Sequence, residues 1–362
     1  MCVLSEMKIL HVITSLYTGG AERLMVDLLP LLRINGNHQV DLLLFNGVET
    51  LFRKEIEKRD INVFALSMTN DVYHPRNLLR IRKYLNQYDI IHTHNTAPQF
   101  YVPLAKALTH SNVKLVTTEH NSTNRRRVKW WYKPIDKWMY EQYKIIICIA
   151  DQTHSNLENY IGEKDKICTI YNGVDVNRLL RPIKDISEQK EFIITMVSAF
   201  REQKDHETLF RAMAHLSSNF RLRIVGGGEK VDRERLHAYC SQLNLDDRVE
   251  FMGVRSDVPE ILEQSDIIVL SSHWEGLSLS SIEGMASGRP FIASDVDGLR
   301  EMVAGAGVLF PHGDDKDLAY KIKYLCEHPK EYQDVAKRCQ EKALQYDISK
   351  MAERYLAVYE SI

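Results

Sequence analysis

Two carboxylates eight residues apart, Glu275 and Glu283, stand in a run suited to a polar ligand: DIIVLSSHWEGLSLSSIEGMASGRPFIASDVDGLREMV, residues 266–303. The run reads as a strand (266–272), a polar loop (His273, Trp274, Glu275, Gly276), a helix (about 278–287) and a strand (290–294). On one continuous helix the two carboxylates would lie about 80° apart around the axis and ~12 Å apart along it. With the helix starting after Gly276-Leu277, Glu275 falls in the entry loop and Glu283 on the helix itself. One carboxylate is then placed for a sugar hydroxyl and the other for a ribose diol. The amides of Gly276, Leu277 and Ser278 can take a phosphate at the helix start. Carboxylates so near a phosphate are out of place where phosphate alone is bound, and they suit a nucleotide-sugar.

Other segments put reactive groups just after strands, where parallel α/β folds gather their ligands. Arg201 and Lys204, in SAFREQKDHETLFRA, follow one strand and precede a helix, a position from which cations can neutralise a diphosphate leaving group. Gly226-Gly227-Gly228-Glu229 follows another strand, as a turn or as a place for close backbone approach to a ligand. TSLYTGGAE, residues 14–22, opens the first helix with Gly19 and Gly20, whose amides face an anion or merely form a turn. VTTEHN sets Glu119 and His120 at a strand end, where catalytic and structural histidines both occur. Residues 125–144 interleave Arg125, Arg126, Arg127, Lys129, Lys133, Lys137 and Lys144 with Trp130, Trp131, Tyr132 and Trp138. That mixture suits an anionic lipid surface, or equally a helix with aromatics inward and cations in water.

These groups are carried by short apolar runs alternating with amphipathic stretches, the pattern of a parallel sheet covered on both faces. Strands are predicted at 8–13, 40–45, 62–66, 89–94, 114–120, 144–150 and 167–171, with helices at 20–35, 76–87, 97–109, 132–142 and 152–160. The series restarts with strands at 192–200, 220–226, 248–253, 266–272, 290–294 and 307–311. Only helices follow, at 315–327 and 330–360. The charged stretch 176–191, with Pro182 near its middle, reads as a linker. At 362 residues the chain exceeds the size of a single growing core, so two α/β domains in tandem are expected, with ligands at the strands' carboxyl ends facing the crevice between them.

Composition narrows the class. Hydrophobic residues at 44% and charged residues at 27% are those of a globular enzyme, which excludes disordered and fibrous chains. Residues 1–185 hold 25 Lys+Arg against 19 Asp+Glu, a surplus of six cations beside an acidic second half, as for a first domain that meets an anionic partner. A formal net charge of −2 argues against nucleic acid as that partner. The six cysteines form no CxxC pair, and no apolar run reaches the ~18 residues of a membrane span. The opening residues MCVLSEMKILHVIT lack the features of a signal peptide, so a cytoplasmic location is expected, with peripheral contact at the inner face of the membrane through residues 125–144.

In this order and spacing, the chain resembles the family 4 glycosyltransferases, retaining enzymes of the GT-B fold, of the kind that builds bacterial surface and capsular polysaccharides. The resemblance rests on the GGAE turn, the strand ending in His120, Tyr171-Asn172-Gly173-Val174-Asp175, Gln203-Lys204, the GGG turn, RVEFMGVRSDV, the Glu275/Glu283 pair and Asp297-Gly298 with Glu301. It implies two Rossmann-like domains, 1–180 for acceptor and 181–345 for nucleotide-sugar, with a final helix (about 346–360) returning to the first. It also implies a UDP-sugar as donor, a glycan or lipid-linked saccharide as acceptor, and retention of configuration. By the same resemblance Gly19 and Gly20 approach the donor phosphates, His120 lies near the reacting sugar, and Lys204 neutralises the diphosphate. Glu275 holds sugar hydroxyls, Glu283 the ribose, and Val254 and Arg255 lie near the base. One position departs from the family: Ala199 stands where an Arg is usual, and Arg201 is the nearby replacement. No Asp-x-Asp stands at a strand end in a setting suited to a metal ion, so neither a metal nor another cofactor is expected. A sugar-nucleotide epimerase and a catalytically impaired nucleotide-sugar- or glycan-binding subunit are the alternatives.

Overall fold

In the computed structural model, the structure describes residues 6–17, 19–120, 127, 129–162 and 165–362. The chain forms two compact units, one made of Met1–Gly173 with Ile348–Ile362 and the other of Val174–Asp347.

The first unit is built on a seven-stranded parallel sheet of β1 (Lys8–Ile13), β2 (Gln39–Asn46), β3 (Val63–Ser67), β4 (Ile90–His94), β5 (Lys114–Glu119), β6 (Ile145–Cys148) and β7 (Ile167–Thr169), in the order β3-β2-β1-β4-β5-β6-β7. Its central strands are continuous apolar runs because helices cover both faces. Leu42 to Phe45 are fully buried in succession, and so are Ile9, Leu10, Val12 and Ile13. Register sets His11 of β1 beside His92 of β4, and His94 beside Thr118 of β5.

The second unit repeats the plan with β8 (Phe192–Val197), β9 (Phe220–Val225), β10 (Val249–Gly253), β11 (Ile267–Leu270), β12 (Phe291–Ser294) and β13 (Val308–Phe310), in the order β10-β9-β8-β11-β12-β13. Both sheets reverse direction of growth beside their first strand, between β1 and β4 and between β8 and β11. These are the switch points at which doubly wound sheets open a crevice at their carboxyl ends.

The strands stand where the apolar runs predict them, with ends trimmed by a few residues. Two helical expectations need correction. Helix 76–87 ends at Arg82, and residues 83–87 continue as turns. The segment 330–360 is not one helix. It comprises Pro329–Ala343, a short 3-10 turn at Leu344–Tyr346, and a final helix Ile348–Glu360 that begins later than position 346. The break coincides with tertiary pairing, since Val174 donates its N–H to Tyr346 O at 3.0 Å and forms an isolated bridge with Asp347.

The final helix belongs to the first unit and packs on the helix Gly20–Gly36. A Cβ at Gly36 would lie 2.5 Å from Leu356 Cδ2, so glycine sets how closely the two helices approach. Met351, Tyr355, Leu356 and Tyr359 are buried there, each contributing roughly 1.5–3 kcal/mol of apolar burial.

Candidate functional site

In the second unit, the loops after β8 and β11 are laced together at the switch point. His273 donates its N–H to Gln203 O at 2.8 Å, and Gln203 Nε2 donates to Trp274 O at 2.8 Å. Ser271 Oγ donates to Asp205 O at 2.9 Å. Asp205 adopts positive φ and caps the helix His206–His215, accepting from the Thr208 N–H and hydroxyl. This frame brings Lys204 onto Glu275: Lys204 Nζ donates to Oε1, which also accepts from Ser272 Oγ at 2.6 Å. Both side chains are largely buried, 14% and 6% exposed. Arg201 is exposed and its side chain has no hydrogen-bond or ion-pair partner among the described residues.

The helix after Glu275 runs Leu279–Ala286, so Glu275, Gly276, Leu277 and the N-cap Ser278 precede it and Glu283 lies on it, half-buried. Val254 and Arg255 follow β10 at the same end of the sheet. Val254 Cγ2 would lie 2.8 Å from a Cβ at Gly227, while the Arg255 guanidinium pairs with Asp257 at 2.6 and 2.8 Å. The Gly226–Gly228 turn is required by backbone packing. A Cβ at Gly226 (φ +143°) would stand 1.9 Å from Ser198 O, and one at Gly228 2.6 Å from Phe200 O. Asp297-Gly298 with Glu301 also has a structural account. Gly298 donates its N–H to the Glu301 carboxylate at 2.7 Å, and at φ +84° it packs against the carbonyls of Glu275 and Gly276.

In the first unit, Gly19 is the N-cap of the helix that starts at Gly20. The Glu22 carboxylate folds back over this turn, 2.2 Å from where a Gly19 Cβ would be. A side chain at position 19 would therefore collide with that carboxylate. Glu119 is structural: it accepts from Gln99 Nε2, Tyr140 OH and Arg127 Nη2 at 2.7, 2.5 and 2.9 Å. Arg127 is thereby removed from the cationic surface predicted for residues 125–144, and Arg125 and Arg126 lie outside the described residues. The helix Lys133–Glu141 turns Asp136, Met139 and Tyr140 inward, and Trp138 packs on the core. Trp130, Trp131, Ile135, Lys129, Lys133, Lys137 and Lys144 remain exposed.

His120 is partly exposed and stands at the head of a buried chain that the sequence reading missed. His120 Nε2 meets His94 Nδ1 at 2.9 Å, and His94 Nε2 meets His11 Nδ1 at 3.0 Å. His11 Nε2 meets Tyr359 OH at 3.2 Å, which in turn meets His92 Nδ1 at 2.6 Å. His92 Nε2 meets Thr118 Oγ1 at 2.8 Å, and Thr118 Oγ1 meets Tyr355 OH at 3.1 Å. Burial pushes His11 down to about 3 and His92 and His94 well below the usual imidazole range. Burial also takes His120 down to about 4, against an opposing pull from Glu119. All four are neutral at pH 7. His11, His92 and His94 form one of two groups among the described residues whose geometry could hold a metal ion; Asp205, His273 and His312 form the other. The available signal was the alternation His92-Thr93-His94, which puts both imidazoles on one face of a strand.

The family model for group 1 glycosyl transferases matches residues 181–342, and that for glycosyltransferase family 4 matches residues 18–178. Among curated relatives, the chain is 31% identical over 245 residues to the UDP-Gal:alpha-D-GlcNAc-diphosphoundecaprenol alpha-1,3-galactosyltransferase of Escherichia coli, covering 62% of each chain. It is 30% identical over 230 residues to the N,N'-diacetylbacillosaminyl-diphospho-undecaprenol alpha-1,3-N-acetylgalactosaminyltransferase of Campylobacter jejuni, covering 59% of each. Among solved structures, Anabaena Alr3699/HepE in complex with UDP-glucose superposes with a TM-score of 0.87 at 22% identity, over 99% of this chain and 100% of that one.

Proposed function

We propose, for a chain that belongs to the group 1, family 4 glycosyltransferases, that it transfers a hexosyl unit from a UDP-sugar to a glycan or lipid-linked glycan acceptor with retention of configuration. The observation that carries this reading is the buried Lys204–Glu275 pair at the switch point of the second unit. A cation and a carboxylate held side by side at the carboxyl end of a parallel sheet offer separate partners for a diphosphate and for sugar hydroxyls. The relatives named above, with sugars on diphospho-undecaprenol in their names, and the neighbour bound to UDP-glucose support the same donor and acceptor classes.

In this mechanism the sugar hydroxyls donate to Glu275, and Lys204 turns to the β-phosphate, where negative charge accumulates as the glycosidic bond breaks. The amides of Gly276, Leu277 and Ser278 face the phosphates at the helix start, and Glu283 takes the ribose diol. Arg201, unpaired and solvated, adds charge that Ala199 cannot supply. Gly19 and Gly20 bring their amides to the donor phosphates. Val254 and Arg255 flank the base, and His120 is the group assigned to the reacting sugar. With the leaving diphosphate met by protein groups, turnover needs no metal; activity that returns after EDTA treatment only with Mn²⁺ or Mg²⁺ would reverse that. No described helix is long and apolar enough to cross a membrane. Contact with anionic lipid is assigned to the exposed cations and tryptophans of residues 129–144.

The deciding experiment screens UDP- and GDP-sugars for acceptor-dependent release of nucleoside diphosphate, followed by NMR of the product's anomeric proton. Release from at least one UDP-sugar, lost in Lys204→Met, is the expected result. An epimerised donor without release, or binding without turnover, would move the protein to a different class.

A further inference from the structure

The hydrogen-bonded chain behind His120 has a direction, and its direction selects a tautomer. Tyr355 is fully buried, and its phenol has one hydrogen-bond partner among the described residues, Thr118 Oγ1. A buried O–H must donate, so it donates to Thr118. The Thr118 hydroxyl, having accepted, gives its own proton to His92 Nε2. A neutral imidazole carries one donor and one acceptor. His92 therefore holds its proton on Nδ1 and donates to Tyr359 OH, and Tyr359 passes its O–H to His11 Nε2. By the same rule His11 Nδ1–H donates to His94 Nε2, and His94 Nδ1–H donates to His120 Nε2.

We propose that Tyr355, Thr118 and Tyr359, acting through His92, His11 and His94, are positioning residues that hold His120 as its Nδ1–H tautomer. His120 then meets its ligand as a hydrogen-bond donor and not as a base. The opposite direction would require the Tyr355 phenol to accept and leave its own proton unbonded in the core. Conduction along the chain is closed for a related reason: it would have to end on a phenolate, and burial raises the Tyr355 phenol well above its ordinary range. The neighbouring Glu119 carboxylate makes its hydrogen bonds to Gln99, Tyr140 and Arg127, and its pull on His120 is outweighed by burial, which keeps the imidazole neutral. Two of the three positioning hydroxyls come from the final helix, Ile348–Glu360, which gives the return of that helix to the first unit a role beyond packing. The catalytic consequence rests on the function proposed above; the tautomer does not.

The test is NMR of the full chain labelled with ¹⁵N-histidine, in which two-bond correlations separate protonated from unprotonated ring nitrogens and H120Q assigns the His120 signals. Expected is a proton on Nδ1 of His120, and likewise of His94, His11 and His92. Tyr359→Phe cuts the chain and is expected to leave His120 in both tautomers. Once a donor is known, it should also lower kcat about tenfold with donor KM within twofold. Thr118→Val, of similar shape, serves if the first variant folds poorly. His120 protonated on Nε2 in the parent protein would overturn the proposal, as would an unchanged His120 pattern in Tyr359→Phe. Stoichiometric zinc held by His11, His92 and His94 would overturn it too, since coordination consumes the same lone pairs. Failure to find any sugar-nucleotide substrate would instead count against the proposed function and leave the tautomer result standing.

Discussion

Gly298 is itself assigned no contact with the donor, yet its replacement by alanine should impair catalysis. A Cβ at this position would lie 2.5 Å from the carbonyl oxygens of both Glu275 and Gly276. Ordinary contact begins at 3.4 Å, so the loop carrying Glu275 must retreat by about 0.9 Å. Backbone strain at φ +84° adds a cost of order 1–3 kcal/mol for a residue with a side chain. Displacing a catalytic group by ~1 Å can slow a reaction by about 100-fold. We therefore expect Gly298→Ala to lower kcat by roughly 10- to 100-fold. Its thermal midpoint should fall by about 2–12 °C, at ~2–4 °C per kcal/mol for a unit of this size. Nucleoside diphosphate release at saturating donor, with calorimetry alongside, measures both. Gly305→Ala is the control: its φ is +78°, but nothing lies within 4 Å of its added Cβ. It should lose comparable stability and keep its rate. Equal rates in the two variants would show that the position of the Glu275 loop does not limit turnover.

Arg201→Ala should lower kcat/KM at least tenfold, about 1.4 kcal/mol, since no arginine stands at position 199 to share the phosphate charge; an unchanged value would show that Lys204 acts alone. Trp130→Ala combined with Trp131→Ala should abolish flotation with vesicles rich in anionic lipid at low salt while leaving turnover of a soluble acceptor unaltered. A parent protein that stays at the bottom of the gradient would remove lipid contact from the reading. Acid should weaken the first unit before the second. His11, His92, His94 and His120 of the first unit, and His206 of the second, all titrate below the ordinary 6.5 because of burial. The unfolded chain thus binds protons that the folded one refuses, and stability falls as pH drops from about 6.5 towards 4, by up to ~1.4 kcal/mol per histidine per pH unit. Thermal unfolding at pH 7 and pH 5 is followed by tryptophan fluorescence in a Trp274→Phe variant, which leaves residues 130, 131 and 138 of the first unit as reporters; a midpoint that does not move would refute it.

The strands were legible because buried parallel strands are short apolar runs bounded by polar turns, a local property. The break between the two last helices was not, since Leu344-Gln345-Tyr346-Asp347 contains neither glycine nor proline. It coincides with Val174, 172 residues earlier than Tyr346 in the chain, which takes up Tyr346 O. The glycine turn has a second use that the sequence does not show: at Gly226 and Gly228 the missing side chains make room for the backbone of Ser198 and Phe200. Arg127 counted as one of seven surface cations until the fold set it against Glu119. The histidine chain needs the register of β1, β4 and β5 together with the docking of the last helix, none of which a strand pattern contains.

The contact between Lys204 and Glu275 bears on how a donor would be selected. On the proposed assignment these residues serve different parts of one ligand, yet without it they neutralise each other in a largely buried position. Removing one partner from such a pair strands the other, at a cost of several kcal/mol. A free sugar brings hydroxyls for Glu275 and nothing for Lys204; an inorganic diphosphate does the reverse. Only a molecule that carries both replaces the two partners together and leaves no buried charge exposed to the penalty. Arg201 sits outside this constraint. Being solvated and unpaired, it can reach the diphosphate without breaking an existing bond, so its loss should cost less than that of Lys204.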